Sequence, residues 1–358
     1  MREDILSLAK KFIAIKSIPE NPRGLDEILE LALTQVSGFT VERFEFDGVK
    51  SALIHNKSGR PDKFKIILNG HLDVIPGSSR QYMPRVTGDK LFGVGSMDMK
   101  GNLAALIHAF RDTAKKVDYP LALQLVTDEE VGGIKGTKHQ IEQGVAADFV
   151  LTSEPTSFDI VNKAKGILWA KVTARGTTAH GAYPWRGDNA ILKMGAFLDS
   201  LMEKFPIPAS QAWVNTVNVS QIGKSNQTYN KIPDDCWVAL DIRYVPEEAD
   251  SIAAEFKRLV PEGFDLEITA QEPPLSTDEN DMFVKKLQQV GAGVLGNSIK
   301  LRGAQGSSDA RHYARINCPG VEFGPIGEGI GSDNEWVDIP SLEKYYQIIT
   351  RFLLSFKK

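Results

Sequence analysis

The chain of 358 residues is longer than one hydrophobic core usually sustains, so we expect about two domains. Its composition, 42% hydrophobic and 25% charged, is that of an ordinary globular protein, and its net charge of −4 argues against nucleic-acid or anionic-membrane partners. The two cysteines form no CxxC pair and no apolar run is long enough to span a bilayer, so we expect a soluble cytoplasmic protein without a thiolate zinc cluster.

The first half of the chain alternates helix-like and strand-like patterns, which is typical of an α/β fold. The opening segment predicts an amphipathic helix with Ile5, Leu8, Phe12 and Ile13 facing a core. Later segments predict strands over residues 64–68, 121–126 and 148–151, and a helix over residues 100–115. We therefore predict a mixed, mostly parallel sheet with helices on both faces.

The pattern changes at residue 165 to the order β-α-β-β-α-β, which is that of a ferredoxin-like unit. Its predicted strands are 167–173, 213–219, 236–245 and 264–270, and its predicted helices are 188–204, with Asp188 as candidate N-cap, and 248–260. A helix at 283–290 and a strand at 321–323 follow Pro273-Pro274. We predict an inserted domain over residues 165–275, and a metal-binding catalytic domain over residues 1–164 and 276–358.

Polar side chains follow the three predicted strands of the first half directly. His71 and Asp73 follow the first strand, Glu129 and Glu130 the second, and Glu154 the third. Open α/β sheets form their sites beyond the carboxyl ends of the strands, where converging carboxylates would repel one another. Because a divalent cation relieves that repulsion, the sequence predicts a metal site at this edge.

A fourth motif supplies Asp98, just before the predicted helix over residues 100–115. The segment starting at Gly93 resembles a dinucleotide-binding GxGxxG turn, but its sixth position is Asp98. A carboxylate there would repel a pyrophosphate, and no suitable strand directly precedes the segment. We therefore favour a metal ligand over a nucleotide site.

The spacing of these residues suggests that they have different roles in binding metal and in transferring a proton. Two positions apart, Asp73 can hold the His71 ring and fix its tautomer. Adjacent residues point in different directions, so one of Glu129 and Glu130 can bind metal while the other faces the attacking water. A metallohydrolase needs both a metal and a carboxylate that takes a proton from water. Each motif alone is more often structural, and only their joint placement favours function.

Four ordered motifs carry a family resemblance. They read Gly-His-Leu-Asp-Val-Ile-Pro from Gly70, Gly-Val-Gly-Ser-Met-Asp-Met-Lys-Gly from Gly93, Thr-Asp-Glu-Glu-Val-Gly-Gly from Thr127 and Ser-Glu-Pro-Thr from Ser153. Together they resemble the superfamily of co-catalytic zinc peptidases and deacylases, which includes succinyl-diaminopimelate desuccinylase, acetylornithine deacetylase, aminoacylase and glutamate carboxypeptidase. The resemblance covers essentially the whole chain.

The resemblance implies that Asp98 bridges two metals, that His71 and Glu154 complete one site, and that Glu130 belongs to the other. It makes Glu129 the general base and acid, and it implies a cis peptide after Asp98. The expected metal is zinc, with cobalt and manganese as alternatives, and one or two ions are expected per chain.

Further segments of this resemblance concern substrate and assembly. It implies that the inserted domain acts as a lid and dimerisation domain, and that His180 reaches the active site of the partner subunit in a homodimer. It places Asn230 and Arg243 on the substrate side of that domain, and it makes Arg311 a carboxylate-binding residue, for which a planar guanidinium is suited. For Arg243 and Arg311 a structural ion pair is the alternative.

One position departs from the family pattern. A histidine is expected four residues before Glu335 to close the second metal site, and Gly331 stands there instead. Ser332 is a poor zinc ligand, and Asp333 would need a shifted loop. We expect the remaining histidines outside the motifs to be structural: His55, His108, His139 and His312, of which His312 is the best placed to replace the missing ligand.

The sequence thus predicts a metal-dependent amide hydrolase acting on a small-molecule substrate. It would remove the acyl group of an N-acyl amino acid, in the manner of a succinyl-diaminopimelate desuccinylase, or cleave a short peptide, using metal-activated water with Glu129 as base. Arg243 or Lys165 could recognise a second carboxylate. The alternatives are a broader metallo-carboxypeptidase or dipeptidase, and a non-catalytic binding relative with a degraded second metal site.

Overall fold

The computed structural model describes residues 1–357. Its helices in chain order are α1 Arg2–Ala14, α2 Pro22–Thr34, α3 Lys100–Thr113, α4 His139–Glu142, α5 Ala190–Lys204, α6 Ile252–Leu259, α7 Met282–Leu295, α8 Ala310–Tyr313 and α9 Ile339–Leu354. Its strands are β1 Thr40–Phe46, β2 Val49–His55, β3 Phe64–His71, β4 Arg85–Thr87, β5 Lys90–Phe92, β6 Leu121–Val126, β7 Ala147–Thr152, β8 Ile160–Ala164, β9 Gly166–Arg175, β10 Thr216–Gly223, β11 Asp235–Tyr244, β12 Phe264–Glu272, β13 Leu275–Ser276, β14 Leu301–Ala304, β15 Gly320–Glu322, β16 Gly327–Glu328 and β17 Trp336–Asp338.

The chain divides into two compact units. The first comprises Met1–Lys163 together with the chain from Leu275 onward, and the second comprises Ala164–Pro274. Each unit has a hydrophobic core of its own. Across residues 1–357, none of the helices combines the length and apolar character that crossing a bilayer requires.

A large sheet forms the centre of the first unit, in the order β1-β2-β6-β3-β7-β15-β8-β13, with β14 beside β8. Strands β6, β3, β7 and β15 run parallel, and because they are covered on both faces their apolar runs are continuous. In the register, His71 pairs with Val126 of β6, and Asn69 pairs with Thr152 of β7. The carboxyl ends of β3, β6 and β7 therefore lie side by side at one edge.

Helices cover both faces of this sheet. On one face α1, α3 and α9 contribute Phe12, Phe110 and Phe352 to the main core. On the other face Ile141 of α4 and Tyr313 of α8 pack in a second buried cluster with the alternate strand residues. Burying an aromatic side chain of this size stabilises the fold by about 1.5–3 kcal/mol. The predicted fold class, a mostly parallel mixed sheet with helices on both faces, is confirmed. A small sheet in the order β16-β17-β5-β4, which the sequence did not predict, completes the unit.

The second unit is an antiparallel sheet in the order β10-β11-β9-β12 with α5 and α6 packed on it. Burial alternates along β9 with the period of two expected of a sheet covered on one face. Phe197 of α5 and Phe256 of α6 are buried against that face. The element order predicted for this segment, β-α-β-β-α-β, is confirmed.

Three predicted boundaries in this unit were wrong. Helix α5 begins at Ala190, and its N-cap is Asn189, whose side chain accepts a hydrogen bond from the Ile191 amide, while Asp188 pairs with Lys193. Strand β10 begins at Thr216 and α6 at Ile252, both later than predicted. The side chain of Asn215 explains part of this, because it accepts from the Val245 amide and donates to Glu248, and such bonds compete with regular structure.

Candidate metal centre

The strand ends bring the predicted polar residues of the first unit together. β3 ends at His71, the helical turn Glu129–Val131 follows β6, and Glu154 lies two residues after β7. Asp98 immediately precedes the residue that caps α3. Since β6, β3 and β7 are neighbours in the sheet, the side chains that follow them share one edge.

His71, Asp98 and Glu154 form a compact group of possible metal ligands. One ligand atom from each lies within 4.8 Å of the others. The closest pair is His71 Nε2 and Asp98 Oδ1, 3.1 Å apart. His71 is buried, whereas Asp98 and Glu154 are partly exposed, so the group is open on one side. Three protein ligands with an open side are the arrangement of catalytic zinc sites, and imidazole nitrogen and carboxylate oxygen both bind zinc.

The electrostatics of the group favour the binding of a cation. Glu154 Oε1 is buried without a hydrogen-bond partner among the described residues. Burial, followed by the charge of Asp98, raises the pKa of Glu154 well above its ordinary value. Burial likewise raises the pKa of Glu129, against the influence of His71. A divalent cation would supply the missing partner, so these residues fit a metal ion.

The His71 ring is held by Asp73. Its Nδ1 lies 3.0 Å from the backbone carbonyl of Asp73 and 3.5 Å from the Asp73 carboxylate. A proton on Nδ1 donated to that carbonyl leaves the Nε2 lone pair on the side of Asp98. Burial lowers the pKa of His71, but the hydrogen bonds with Asp73 and Asp98 outweigh it and raise the pKa well above its ordinary value. Asp73 also accepts a hydrogen bond from the Glu130 amide at 2.9 Å.

Glu335 positions the loop that carries Asp98. Its buried carboxylate accepts hydrogen bonds from three backbone amides, those of Gly95 at 3.1 Å, Met97 at 2.9 Å and Asp98 at 3.1 Å. Burial raises the pKa of Glu335 to about 7, although these amides lower it. The Asp98–Met99 peptide is cis, as the family resemblance implied. The sequence motifs marked Glu335 only by its spacing from Gly331 and suggested no such contact.

Glu129 and Glu130 line different cavities, as expected of adjacent residues. Glu129 lines a cavity of about 260 Å³ together with Asp98 and Glu154. Glu130 lines a cavity of about 30 Å³ together with Asp98 and Gly331. Asp98 borders both spaces, so each glutamate shares a different cavity with it.

Two residues of the larger cavity were missed by the sequence analysis. Glu322, at the end of β15, is buried and borders the cavity, and burial raises its pKa to about 7 although hydrogen bonds from Ser308 lower it. Arg302 of β14 borders the same cavity and lies 3.5 Å from Asp159. The rule that found Glu129 and Glu154, an acid at the end of a buried strand, also applies to Glu322.

Arg311 and His312 lie against the loop that follows Glu129. Buried Arg311 donates to the carbonyls of Gly132 at 2.6 Å and Ser308 at 2.7 Å. His312 Nε2 lies 3.0 Å from the same Gly132 carbonyl, away from the group that Asp98 belongs to. The structure therefore assigns His312 a structural contact, and the carboxylate-binding role of Arg311 stays a prediction.

The remaining predicted residues lie in the second unit. His180 and Asn230 are exposed, and their segments adjoin through a bridge between His180 and Lys231 and a 2.7 Å hydrogen bond from the Gly181 amide to the Asn230 carbonyl. The catalytic and substrate-binding roles of His180 and Asn230 stay predictions.

Arg243 forms an ion pair, which was the alternative role that the sequence left open for it. Its Nε and Nη2 donate to the two carboxylate oxygens of Asp241, at 2.8 and 3.2 Å. Lys165 is buried, and burial, with the charge of Arg243, lowers its pKa. Recognition of a second carboxylate by Arg243 or Lys165 stays a prediction.

Comparison with known families identifies the chain. The model described as "Peptidase family M20/M25/M40" matches residues 67–355, so the chain belongs to this family. The succinyl-diaminopimelate desuccinylase of Sulfurimonas denitrificans is 26% identical over 98% of this chain and 99% of its own length. That of Nitrosococcus oceani is 28% identical over 97% of each. The prediction of a hydrolase of amide bonds is confirmed at the level of the family.

Solved structures show the same fold. Aminopeptidase PepT from Bacillus cereus superposes with a TM-score of 0.79 at 19% identity, covering 99% of this chain and 98% of that one. The metallo-carboxypeptidase Sso-CP2 from Sulfolobus solfataricus gives a TM-score of 0.75 at 17% identity over 98% of each chain. The Bacillus subtilis YXEP protein, described as a dinuclear metal-binding peptidase, gives 0.72 at 13% identity over 99% and 97%.

We expect the substitution Glu335→Gln to weaken metal binding. A glutamine has one acceptor oxygen, and its amide group would face one of the three backbone N–H groups, so the Asp98 loop would shift. The loss expected for such a supporting contact is about 10- to 100-fold in metal affinity, measured by competition with a chelating dye. Exposed Glu328→Gln is the matched control. Equal affinities of the two variants would contradict the role of Glu335.

We expect His312 to make the folded state sensitive to acid. Burial, with the charge of Arg311, lowers the pKa of His312 to about 2, whereas the unfolded chain takes up this proton near pH 6.5. The contribution of His312 to stability is therefore complete above pH 6.5 and is lost as the pH falls, by up to about 1.4 kcal/mol per pH unit.

Urea unfolding of the wild type and of His312→Gln, at pH 7, 6 and 5, measures this contribution. The free energy of unfolding of the variant should fall less steeply below pH 6, since the other acidic groups are common to both proteins. Parallel curves for the two proteins would show that His312 does not carry the effect.

Proposed function

We propose that this member of the M20/M25/M40 peptidase family is a zinc-dependent hydrolase that removes the acyl group of a small N-acyl amino acid. The observation that carries the proposal is the open group of His71, Asp98 and Glu154, with Glu129 in the same cavity of about 260 Å³. The relatives named succinyl-diaminopimelate desuccinylase, similar over nearly their whole length, support an acyl-amino acid as substrate.

His71, Asp98 and Glu154 would hold the zinc ion, and cobalt or manganese would suit the same oxygen-rich set. When bound, the ion supplies Lewis acidity to the substrate carbonyl and lowers the pKa of water. Glu129 takes the proton of the attacking water and returns it to the nitrogen of the leaving amine. Glu129 lines the same cavity as Asp98 and Glu154, which supports a role for its carboxylate in both proton transfers.

The larger cavity also offers a cation for the substrate carboxylate. Arg302 borders it together with Glu322, and its Nε lies 3.5 Å from the carboxylate of Asp159. We propose that Arg302, in addition to Arg311, contacts the substrate. The hydrogen bonds of Arg311 to the Ser308 and Gly132 carbonyls support a role for it in positioning these loops.

A peptidase is the second candidate, because the similar solved structures include an aminopeptidase and a carboxypeptidase. A panel of N-succinyl and N-acetyl amino acids, dipeptides and tripeptides, assayed with zinc, cobalt and manganese, separates the two. A non-catalytic relative would hydrolyse none of them.

We expect Glu129→Gln to reduce kcat by about 10²- to 10⁴-fold, the contribution typical of a general base. Zinc content should stay unchanged, because Glu129 is outside the three-ligand group. The exposed Glu142→Gln serves as the control and should retain full activity. An unchanged rate in Glu129→Gln would overturn the mechanism.

We propose in addition that two chains form a homodimer through the second unit, where β10 is an edge strand of the sheet. An unpaired edge readily pairs with a second chain. Apolar side chains of this unit are also exposed, with Ile222 of β10 at 61% and Leu192 of α5 at 73%. Such a dimer would allow His180 to act in the site of the partner subunit, as the resemblance implies.

Mixed dimers test this arrangement. Glu129→Gln and His180→Ala should each be inactive alone, whereas co-expression should restore about a quarter of wild-type activity if subunits pair at random, because half of the dimers then hold one complete site. If His180 acts within its own chain, mixing restores nothing. Sedimentation equilibrium showing only monomers would contradict the dimer itself.

A further inference from the structure

We infer that this chain binds one metal ion, at His71, Asp98 and Glu154, and that the space beside Glu130 holds none because Gly331 offers no ligand. The inference rests on the metal site of the proposed function but not on the identity of the substrate. It concerns the smaller cavity, of about 30 Å³, on the other side of Asp98.

The smaller cavity has two carboxylate ligands and no imidazole. Within residues 1–357, one group of three metal-ligating side chains has its ligand atoms within 4.8 Å of one another, and Glu130 is not part of it. Asp98, Glu130 and Glu335 border the cavity, and the rest of its wall is formed by Val74, Ile75, Val94, Ile330, Gly95 and Gly331. Zinc sites in proteins take three or more protein ligands, and this space provides two.

The polar groups near this cavity are hydrogen-bonded to other groups or line a different cavity. The Glu335 carboxylate, which also borders it, is bound by three backbone amides. Ser332 Oγ donates to the Gly329 carbonyl at 2.8 Å. Asp333 borders an adjacent cavity of about 90 Å³ and not the one that Asp98 and Glu130 line. His312 is held at the Gly132 carbonyl.

Gly331 also lines two neighbouring cavities. The 30 Å³ cavity shares Gly331 and Glu335 in its lining with the 90 Å³ cavity. That cavity shares Gln81 and Asp333 with a groove of about 610 Å³. A side chain at position 331 would stand where the first two spaces meet.

The same geometry allows the missing ligand to be added. A Cβ at position 331 would have Ile75 Cδ1 as its nearest neighbour, at 3.5 Å, which is an ordinary contact. The φ angle there is +71°, a conformation that histidine adopts more readily than most residues. Gly331→Ala carries the same backbone strain without a ligand, so it is the matched control for Gly331→His.

Zinc content after equilibrium dialysis, measured by atomic emission, tests the inference. We expect one zinc per chain in the wild type and in Gly331→Ala, and two in Gly331→His. Glu130→Gln should keep its single zinc, whereas Glu154→Gln should lose it. These two variants test the inference even if position 331 tolerates no side chain.

The measured zinc contents distinguish failure of this inference from failure of the proposed function. Two zinc ions in the wild type, or loss of zinc from Glu130→Gln, would overturn the inference and leave the proposed hydrolase standing. No zinc in the wild type would overturn the proposed function. A folded Gly331→His that still binds one zinc would show that Gly331 is not the reason for the single ion.

Discussion

The mutual repulsion of carboxylates at one sheet edge is the constraint on which the rest of this structure depends. Parallel strands β3, β6 and β7 end side by side, and the segments that follow them deliver Glu129, Glu130 and Glu154 to the same place, with Asp98 between them. Burial raises the pKa of each of the three glutamates, because it weakens the stabilisation of their charges by water. Such a cluster needs hydrogen-bond donors or a cation.

The fold meets this need in two different ways. Some acids are bound by backbone amides: the carboxylate of Glu335 by the loop before Asp98, and Asp128 Oδ2 by the amides of Lys135 and Gly136. These acids hold loops in place. Glu154, in contrast, keeps a buried oxygen without a partner among the described residues, beside His71. A metal ion would supply the partner that this oxygen of Glu154 lacks, whereas the carboxylate of Glu335 positions a loop.

Much of the site was predictable because its ligands are tied to local patterns. The ligands His71 and Glu154, and the proposed base Glu129, each lie at or just after the end of a run of buried apolar residues, and a reader of the sequence can locate the end of a strand from that run. Glu335 and Gly95, by comparison, are 240 residues apart in the chain. No periodicity links them, and their contact depends on how β17 aligns with β5. Arg243 shows the same limit, since an arginine beside an aspartate on a strand predicts either a substrate contact or an ion pair.

The sequence by itself determined the fold class, the order of elements in the second unit and the candidate site residues at the strand ends, because hydrophobic periodicity and residue chemistry are local properties. Only the tertiary structure decided how these residues divide the space. It placed His71, Asp98 and Glu154 in one group and turned Glu130 towards a second cavity. It also moved the cap of α5 from Asp188 to Asn189 and kept His312 at a carbonyl. Those outcomes depend on packing between distant segments. A displacement of about one hydrogen-bond length there decides whether a side chain can reach the metal.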